Sequence, residues 1–160
     1  MRIGHGFDVH RFADKRRLIL GGVTIPYPLG LEGHSDADVL THAVIDALLG
    51  AGGLGDIGMH FPDTDSTYKD ASSISMLQTI VSALHSLGFR IANLDVTVLA
   101  QSPKIGPFRA AMVGRLSEAM GIEPNAVNIK ATTTEGLGFV GRAEGIAASA
   151  VVLLEEVERP

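Results

Sequence analysis

RIGHGFDVHRF, residues 2–12, opens the chain as a strand, with Ile3, His5, Phe7 and Val9 alternating against Gly4, Gly6, Asp8 and His10. A period of two is the signature of extended chain. Gly, Asp and His are unusual inside a strand, so this one is built to bring its backbone near something. The same period turns Asp8 and His10 to one face.

Outward from there, LILGGVTI at 18–25 reads as a second strand with a Gly-Gly bulge, closed by Pro26-Tyr27-Pro28. Residues 29–37 read as loop. From Asp38 to Gly50 the period becomes helical, with Val39, Leu40, Ala43, Val44, Ala47 and Leu48 in a stripe. Ser35, Asp36 or Asp38 is the expected cap, and the glycines of 50–58 stop the helix. Residues 53–68 form an Asp-rich loop too long for a simple connector. A helix over 70–87, a strand over 89–101, a helix over 106–120 and strands near 126–133 and 145–157 complete the order. That mixture predicts an α+β (α/β two-layer) sandwich: one domain over 1–160, with three helices on one face of a mixed four- or five-stranded sheet. The last strand, GIAASAVVLLEEV, is apolar on both faces at its centre. A subunit interface is the expected cover for its second face.

Composition narrows the function. The chain has 160 residues, 46% hydrophobic and 19% charged, as folded domains do, and no Cys, so His, Asp and Glu are the available metal ligands. A net charge of −5 argues against nucleic-acid binding. The Lys15-Arg16-Arg17 run reads as a solvated turn. No leader pattern opens the chain, and Ile146–Leu154 falls short of the ~20 apolar residues a membrane span needs. No membrane partner is expected, and the cytoplasm is the expected compartment.

The chemistry-bearing residues cluster. Asp8-x-His10 on the strand joins His42 on the first helix, four residues from both Asp38 and Asp46, either of which has the spacing to support the imidazole. Two His and a carboxylate suit zinc with an open fourth position; the plain alternative is a hydrogen-bonded pair and a core histidine. His34-Ser35-Asp36-Ala37-Asp38 stands at a helix start suited to phosphate. Leu54–Gly58 and Phe61–Asp65 put three Asp among glycines, as in a loop that folds over a polar ligand or in a solvent-facing turn. Lys130–Gly138 carries Thr132, Thr133, Thr134 and Glu135, either a binding edge or simple β-propensity. Ala100–Gly106 is another strand-to-helix junction. Together they point to metal-dependent phosphate chemistry.

These segments resemble the 2-C-methyl-D-erythritol 2,4-cyclodiphosphate synthase family along essentially the whole chain. The matching stretches are RIGHGFDVHRF at 2–12, GGVTIPY at 21–27, GLEGHSDADVLTHAVIDALLGA at 30–51, LGDIGMHFPDTD at 54–65, NLDVTVLAQSPKI at 93–105 and KATTTEGLGFVGRAEGIA at 130–147. The resemblance implies a homotrimer with active sites at subunit interfaces, zinc on Asp8, His10 and His42, and magnesium or manganese at Glu135. It implies a cytidine diphosphate substrate whose cytidine sits on Ala100, Gln101, Ser102, Pro103, Lys104, Ile105 and Gly106 with Ala131, Thr132 and Thr133 of a neighbour. The erythritol phosphate would lie among His34, Ser35, Asp56, Ile57, Gly58, Phe61, Pro62, Asp63, Thr64 and Asp65, and Thr134, Phe139 and Arg142 complete the substrate-binding set. His34 and Thr133 would steady the transition state. An axial cavity for isoprenoid diphosphates is also implied, with Phe7, Phe139 and Arg142 in suitable segments; Arg142 paired to Glu144 is the plain alternative.

The implied reaction is intramolecular: the 2-phosphate attacks the β-phosphorus and expels CMP, with no strong base needed, because a phosphate monoester (second pKa ~6) is already largely dianionic. Two departures stand out, Ala37 where the HSDGD pattern has Gly, and Met59-His60 before Phe61. The rival expectations are a metal-dependent phosphoester hydrolase and a trimeric isoprenoid-diphosphate-binding module.

Overall fold

A computed structural model describes residues 1–157. The last three residues of the expected 1–160 domain lie outside the described residues. Strand β1 (Arg2–Ala13) is followed by β2 (Leu18–Leu20), β3 (Val23–Ile25) and β4 (Gly30–Leu31), then helices α1 (Val39–Gly52), α2 (Ile57–His60) and α3 (Ser73–Ser86). Strand β5 (Phe89–Leu99), helix α4 (Arg109–Met120), strand β6 (Val127–Thr132), helix α5 (Gly138–Gly141) and strand β7 (Gly145–Glu156) complete the chain.

The sheet runs β4-β1-β7-β5-β6. Its pairs are antiparallel except β5 with β6, which makes it a mixed five-stranded sheet. β7 lies at the centre, which is why the apolar run GIAASAVVLLEEV belongs there. Helices α1, α3 and α4 bury their apolar residues with the inward side chains of that sheet, among them Leu94, Val96, Val98, Ile129, Val152 and Leu154. The fold is α+β with the helices on one face.

Helix α1 is nearly all core: only Asp46, Gly50 and Gly52 are not buried. Each fully buried Leu or Ile contributes ~1.5–3 kcal/mol, so this helix is pinned. Asp38 caps it by accepting from the Thr41 amide at 3.0 Å, and Gly53 ends it in the left-handed conformation. Gly4 and Gly6 explain how it sits so close to β1. A Cβ on Gly4 would stand 1.8 Å from the Ala47 carbonyl oxygen, and one on Gly6 would stand 2.0 Å from that of Ala43. The "something" near the strand is the helix backbone.

Several expectations are corrected. The 18–25 segment is a hairpin, because Gly21 (φ 56°) and Gly22 (φ 71°) both adopt the positive φ that a two-residue reversal needs. Residues 29–37 are not all loop, since Gly30–Leu31 pairs with Phe12–Ala13. The 53–68 loop contains α2 and a 3-10 turn at Ser66–Tyr68. The third helix starts at Ser73, three residues later than expected, because Asp70 takes a left-handed φ of 56°. On β1 the buried face is the glycine face, while Ile3, Phe7 and Val9 point to the bare side of the sheet, where they are 74%, 51% and 44% exposed.

Candidate metal and substrate site

β1 and α1 bring the predicted triad together. Asp8 Oδ2 lies 2.9 Å from His10 Nε2 and 3.1 Å from His42 Nδ1, and the two ring nitrogens are 3.1 Å apart. A tetrahedral ion with ~2.0–2.1 Å bonds has ligand edges of about 3.3 Å, so the triangle matches one face of such a site. It is the one group of three or more His, Asp or Glu side chains so converged among the described residues.

Each ligand is also turned the right way. His10 Nδ1 donates to the Glu32 carbonyl at 2.5 Å, which leaves the Nε2 lone pair for a cation. Asp8 Oδ1 accepts the Val9 amide at 2.8 Å, freeing Oδ2. His42 Nε2 faces Ser73 Oγ at 2.9 Å and Ser35 Oγ at 3.0 Å. A donor set whose outer atoms are engaged and inner atoms converge fits a divalent metal.

Neither Asp38 nor Asp46 supports His42, contrary to the spacing argument. Asp38 is consumed by the hairpin and the helix cap, accepting from the Gly21 and Gly22 amides at 2.9 and 2.7 Å. Asp46 accepts from the Ile57 amide at 2.8 Å and so anchors α2. The spacing of four was right for reach but not for what else competed. Arg16 is likewise more than a solvated cation, since its Nη2 donates to the Ser35 carbonyl at 2.6 Å.

Electrostatics follow the geometry. Burial pushes the Asp8 carboxyl up, but hydrogen bonds and charge from His10 and His42 outweigh it and hold it far below the usual carboxylate range. Burial pushes His10 down, and the Asp8 carboxylate overcomes that to raise it above 6.5. Burial raises Asp38 and Asp46.

A cavity of about 490 Å³ opens on the triad, lined also by Gly33, His34, Ser35, Ile57, Gly58, Phe61, Pro62 and Asp63. Tyr68 and Met76 line it too and were not anticipated; nothing in their spacing sets them apart from core residues. Asp56 caps α2 through the Met59 amide, and the Asp65 carbonyl accepts from His34 Nε2 at 3.1 Å. Thr64 stands just before Asp65, in the turn with Asp63.

The other predicted residues lie elsewhere. Ala100, Gln101, Pro103, Lys104, Ile105, Gly106, Ala131, Thr132 and Thr133 line a separate cavity of about 370 Å³, together with the unanticipated Pro107 and Arg109. The two cavities share no lining residue. Ser102 Oγ meets the Tyr27 hydroxyl at 2.9 Å. Thr133 Oγ1 donates to Glu135 Oε1 at 2.9 Å, and Thr134 Oγ1 to the Leu137 carbonyl at 2.7 Å. Phe139 lines a third cavity of about 630 Å³ with Val9, Arg11, Phe12 and Glu144, on the side of the outward β1 residues. Arg142 Nε pairs with Glu144 Oε1 at 2.5 Å.

Fold and triad define a mixed-sheet α+β protein with an Asp-His-His group between its first strand and first helix that could hold a divalent metal. Residues 1–155 match the YgbB family model, and the chain belongs to that family. It is 58% identical over 155 residues to a Desulfatibacillum aliphaticivorans protein named 2-C-methyl-D-erythritol 2,4-cyclodiphosphate synthase, covering 97% of this chain and 100% of that one. A Moorella thermoacetica protein of the same name is 55% identical over 158 residues, covering 99% and 97%. Among solved structures, a CDP-bound form of such a synthase superposes with a TM-score of 0.88 at 39% identity, over 96% of this chain and 100% of that one. The bifunctional IspDF of Campylobacter jejuni gives 0.95 at 45% identity, covering 98% of this chain but only 42% of that longer one.

Proposed function

We propose that this protein converts 4-diphosphocytidyl-2-C-methyl-D-erythritol 2-phosphate to 2-C-methyl-D-erythritol 2,4-cyclodiphosphate with release of CMP. It is an enzyme of isoprenoid biosynthesis, a phosphorus–oxygen lyase. The observation that carries the reading is the Asp8–His10–His42 triangle, opening on a cavity floored by the 57–63 segment in a chain so close to named synthases.

An oxygen of the 2-phosphate bonds to the β-phosphorus while the bond from that phosphorus to the CMP oxygen breaks, and CMP leaves with the electron pair. Zinc on the triad, with magnesium or manganese at Glu135, supplies charge neutralisation and alignment. The chain's own groups do the rest. His34 and Ser35 stand at the cavity wall as donors to phosphate oxygens, and the 56–65 segment holds the erythritol phosphate. Thr133, whose hydroxyl hydrogen is free to turn to the substrate once Glu135 takes its metal, steadies the departing charge, and the 100–106 and 131–133 edge takes the cytidine.

The separation of the two cavities supports an active site completed by a neighbour in a homotrimer. So does the bare apolar sheet face, since contiguous exposed apolar surface marks association sites. The cavity beside Phe139, on that same face, supports an isoprenoid diphosphate as a further ligand of the assembled trimer. One domain over 1–160, acting in the cytoplasm, completes this reading.

The test is incubation with the cytidylylated substrate, zinc and magnesium, read by phosphorus NMR. Equimolar CMP and cyclic diphosphate is the expected result; inorganic phosphate as the main product overturns it in favour of a hydrolase.

A further inference from the structure

The His42 imidazole is held by more than the cavity. Its Nδ1 faces Asp8 and His10 at 3.1 Å each, so Nδ1 is the atom a metal takes. The neutral ring then carries its hydrogen on Nε2. Two hydroxyls stand at that nitrogen, Ser73 Oγ and Ser35 Oγ, and both serines are buried, Ser73 completely.

The two hydroxyls are not equivalent. Ser73 Oγ donates its hydrogen to Asp36 Oδ1, and Asp36 Oδ2 accepts the Ser73 amide at 3.1 Å. Asp36 Oδ1 also accepts the Asp38 amide at 3.3 Å. An ionised carboxylate only accepts. The Ser73 hydrogen is therefore committed to Asp36, and its oxygen can only receive the Nε2–H of His42. Ser35 Oγ accepts the Ala37 amide at 3.2 Å. It cannot donate to a nitrogen that already bears hydrogen, and among the described residues it has no other acceptor. Its hydroxyl hydrogen is left for an acceptor in the cavity that Ser35 lines.

We propose that Ser73 and Asp36 are positioning residues for the metal centre: the Asp36–Ser73 pair fixes the His42 tautomer and ring orientation, and so reserves the Ser35 hydroxyl as a donor to bound phosphate. The proposal rests on the metal reading of the triad. An imidazole whose outer N–H meets a carboxylate-polarised acceptor is a better ligand, and removing such outer partners costs 10–100-fold in metal affinity. Neither residue lines the cavity; Ser73 opens helix α3 and Asp36, in the loop before α1, accepts its amide, so they couple that helix to β1 and α1 through the metal ligand.

Zinc affinity of the full-length protein, measured by chelator competition, tests this with Ser73→Ala, Asp36→Asn, Ser35→Ala and His42→Ala beside wild type. The cobalt-substituted absorption spectrum and thermal melting of the metal-free forms are recorded on the same samples. Ser73→Ala and Asp36→Asn are expected to weaken zinc 10–100-fold and shift the cobalt bands, whereas Ser35→Ala stays within about threefold. A purely structural role lowers melting temperature yet leaves zinc affinity and cobalt bands of the folded variants unchanged, and that result overturns the proposal. Asp36→Asn keeps the shape at the helix start, so it decides the matter if Ser73→Ala does not fold. Equal zinc affinity in wild type and His42→Ala instead removes the metal site itself, and the proposal with it.

Discussion

At the level of single residues, the triad ties stability to pH in a way that depends on the metal. Asp8 is depressed in the folded chain, so its contribution is present above its ordinary 3.8 and lost as pH falls below it. His10 is raised, so its contribution is complete below 6.5 and lost as pH rises through its folded value. The metal-free protein should therefore lose stability as pH rises above 6.5 in urea titrations, and His10→Asn should flatten that slope. Zinc affinity should rise over the same interval, because the ligands must shed their protons. An unchanged slope in the variant would assign the pH dependence elsewhere. Ala37 offers a second test, with its φ of 58°. The left-handed region costs an L-residue ~1–2 kcal/mol, and the buried methyl returns ~0.8 kcal/mol. Ala37→Gly should thus raise the melting temperature slightly, and a fall would refute the strain. The triad was legible because strand and helix periods both point at it. Ser73 was not: a serine at a helix start has the same sequence signal whether it caps, packs or holds a histidine.

At the level of elements, the β1–α1 contact is the support of the site. Gly4→Ala should cost about 3 kcal/mol, the upper range for overpacking, because its Cβ meets helix backbone at 1.8 Å, which no side-chain rotation relieves. Since His42 rides on that helix, zinc affinity should fall in the folded fraction as well; denaturant melts and chelator competition read the two effects separately. Asp38 ties hairpin to helix, and Asp38→Ala strands the buried Gly21 and Thr41 amides and the half-buried Gly22 amide. At 1–3 kcal/mol per unsatisfied group, a loss of about 3 kcal/mol in urea melts is expected, while a loss under about 1 kcal/mol would mean that water replaces the carboxylate. The long elements were legible from periodicity. The β2–β3 hairpin, β4 and α2 were not, because their pairing depends on partners distant in sequence: Asp38 for the hairpin, Phe12 for β4, Asp46 for α2.

At the level of the whole molecule, the bare sheet face and the divided cavities ask for company. Phe7→Asp should break the proposed trimer, shifting the mass seen by light scattering to that of one 16.8 kDa chain, and should abolish turnover while leaving the triad's residues untouched. A monomer with full activity would contradict the shared site. The sequence hinted at this through a last strand apolar on both faces; it did not reveal that β1 turns its own apolar residues the same way, since alternation alone cannot say which face a helix will occupy. The claim on which all of this converges is that the nucleophile is the substrate's own phosphate. Turnover in ¹⁸O-labelled water, with mass spectrometry of both products, tests it most directly. Unlabelled CMP and an unlabelled cyclic diphosphate are expected; labelled CMP, or a labelled open bisphosphate in place of the ring, would mean that water attacks and that the metal site serves hydrolysis.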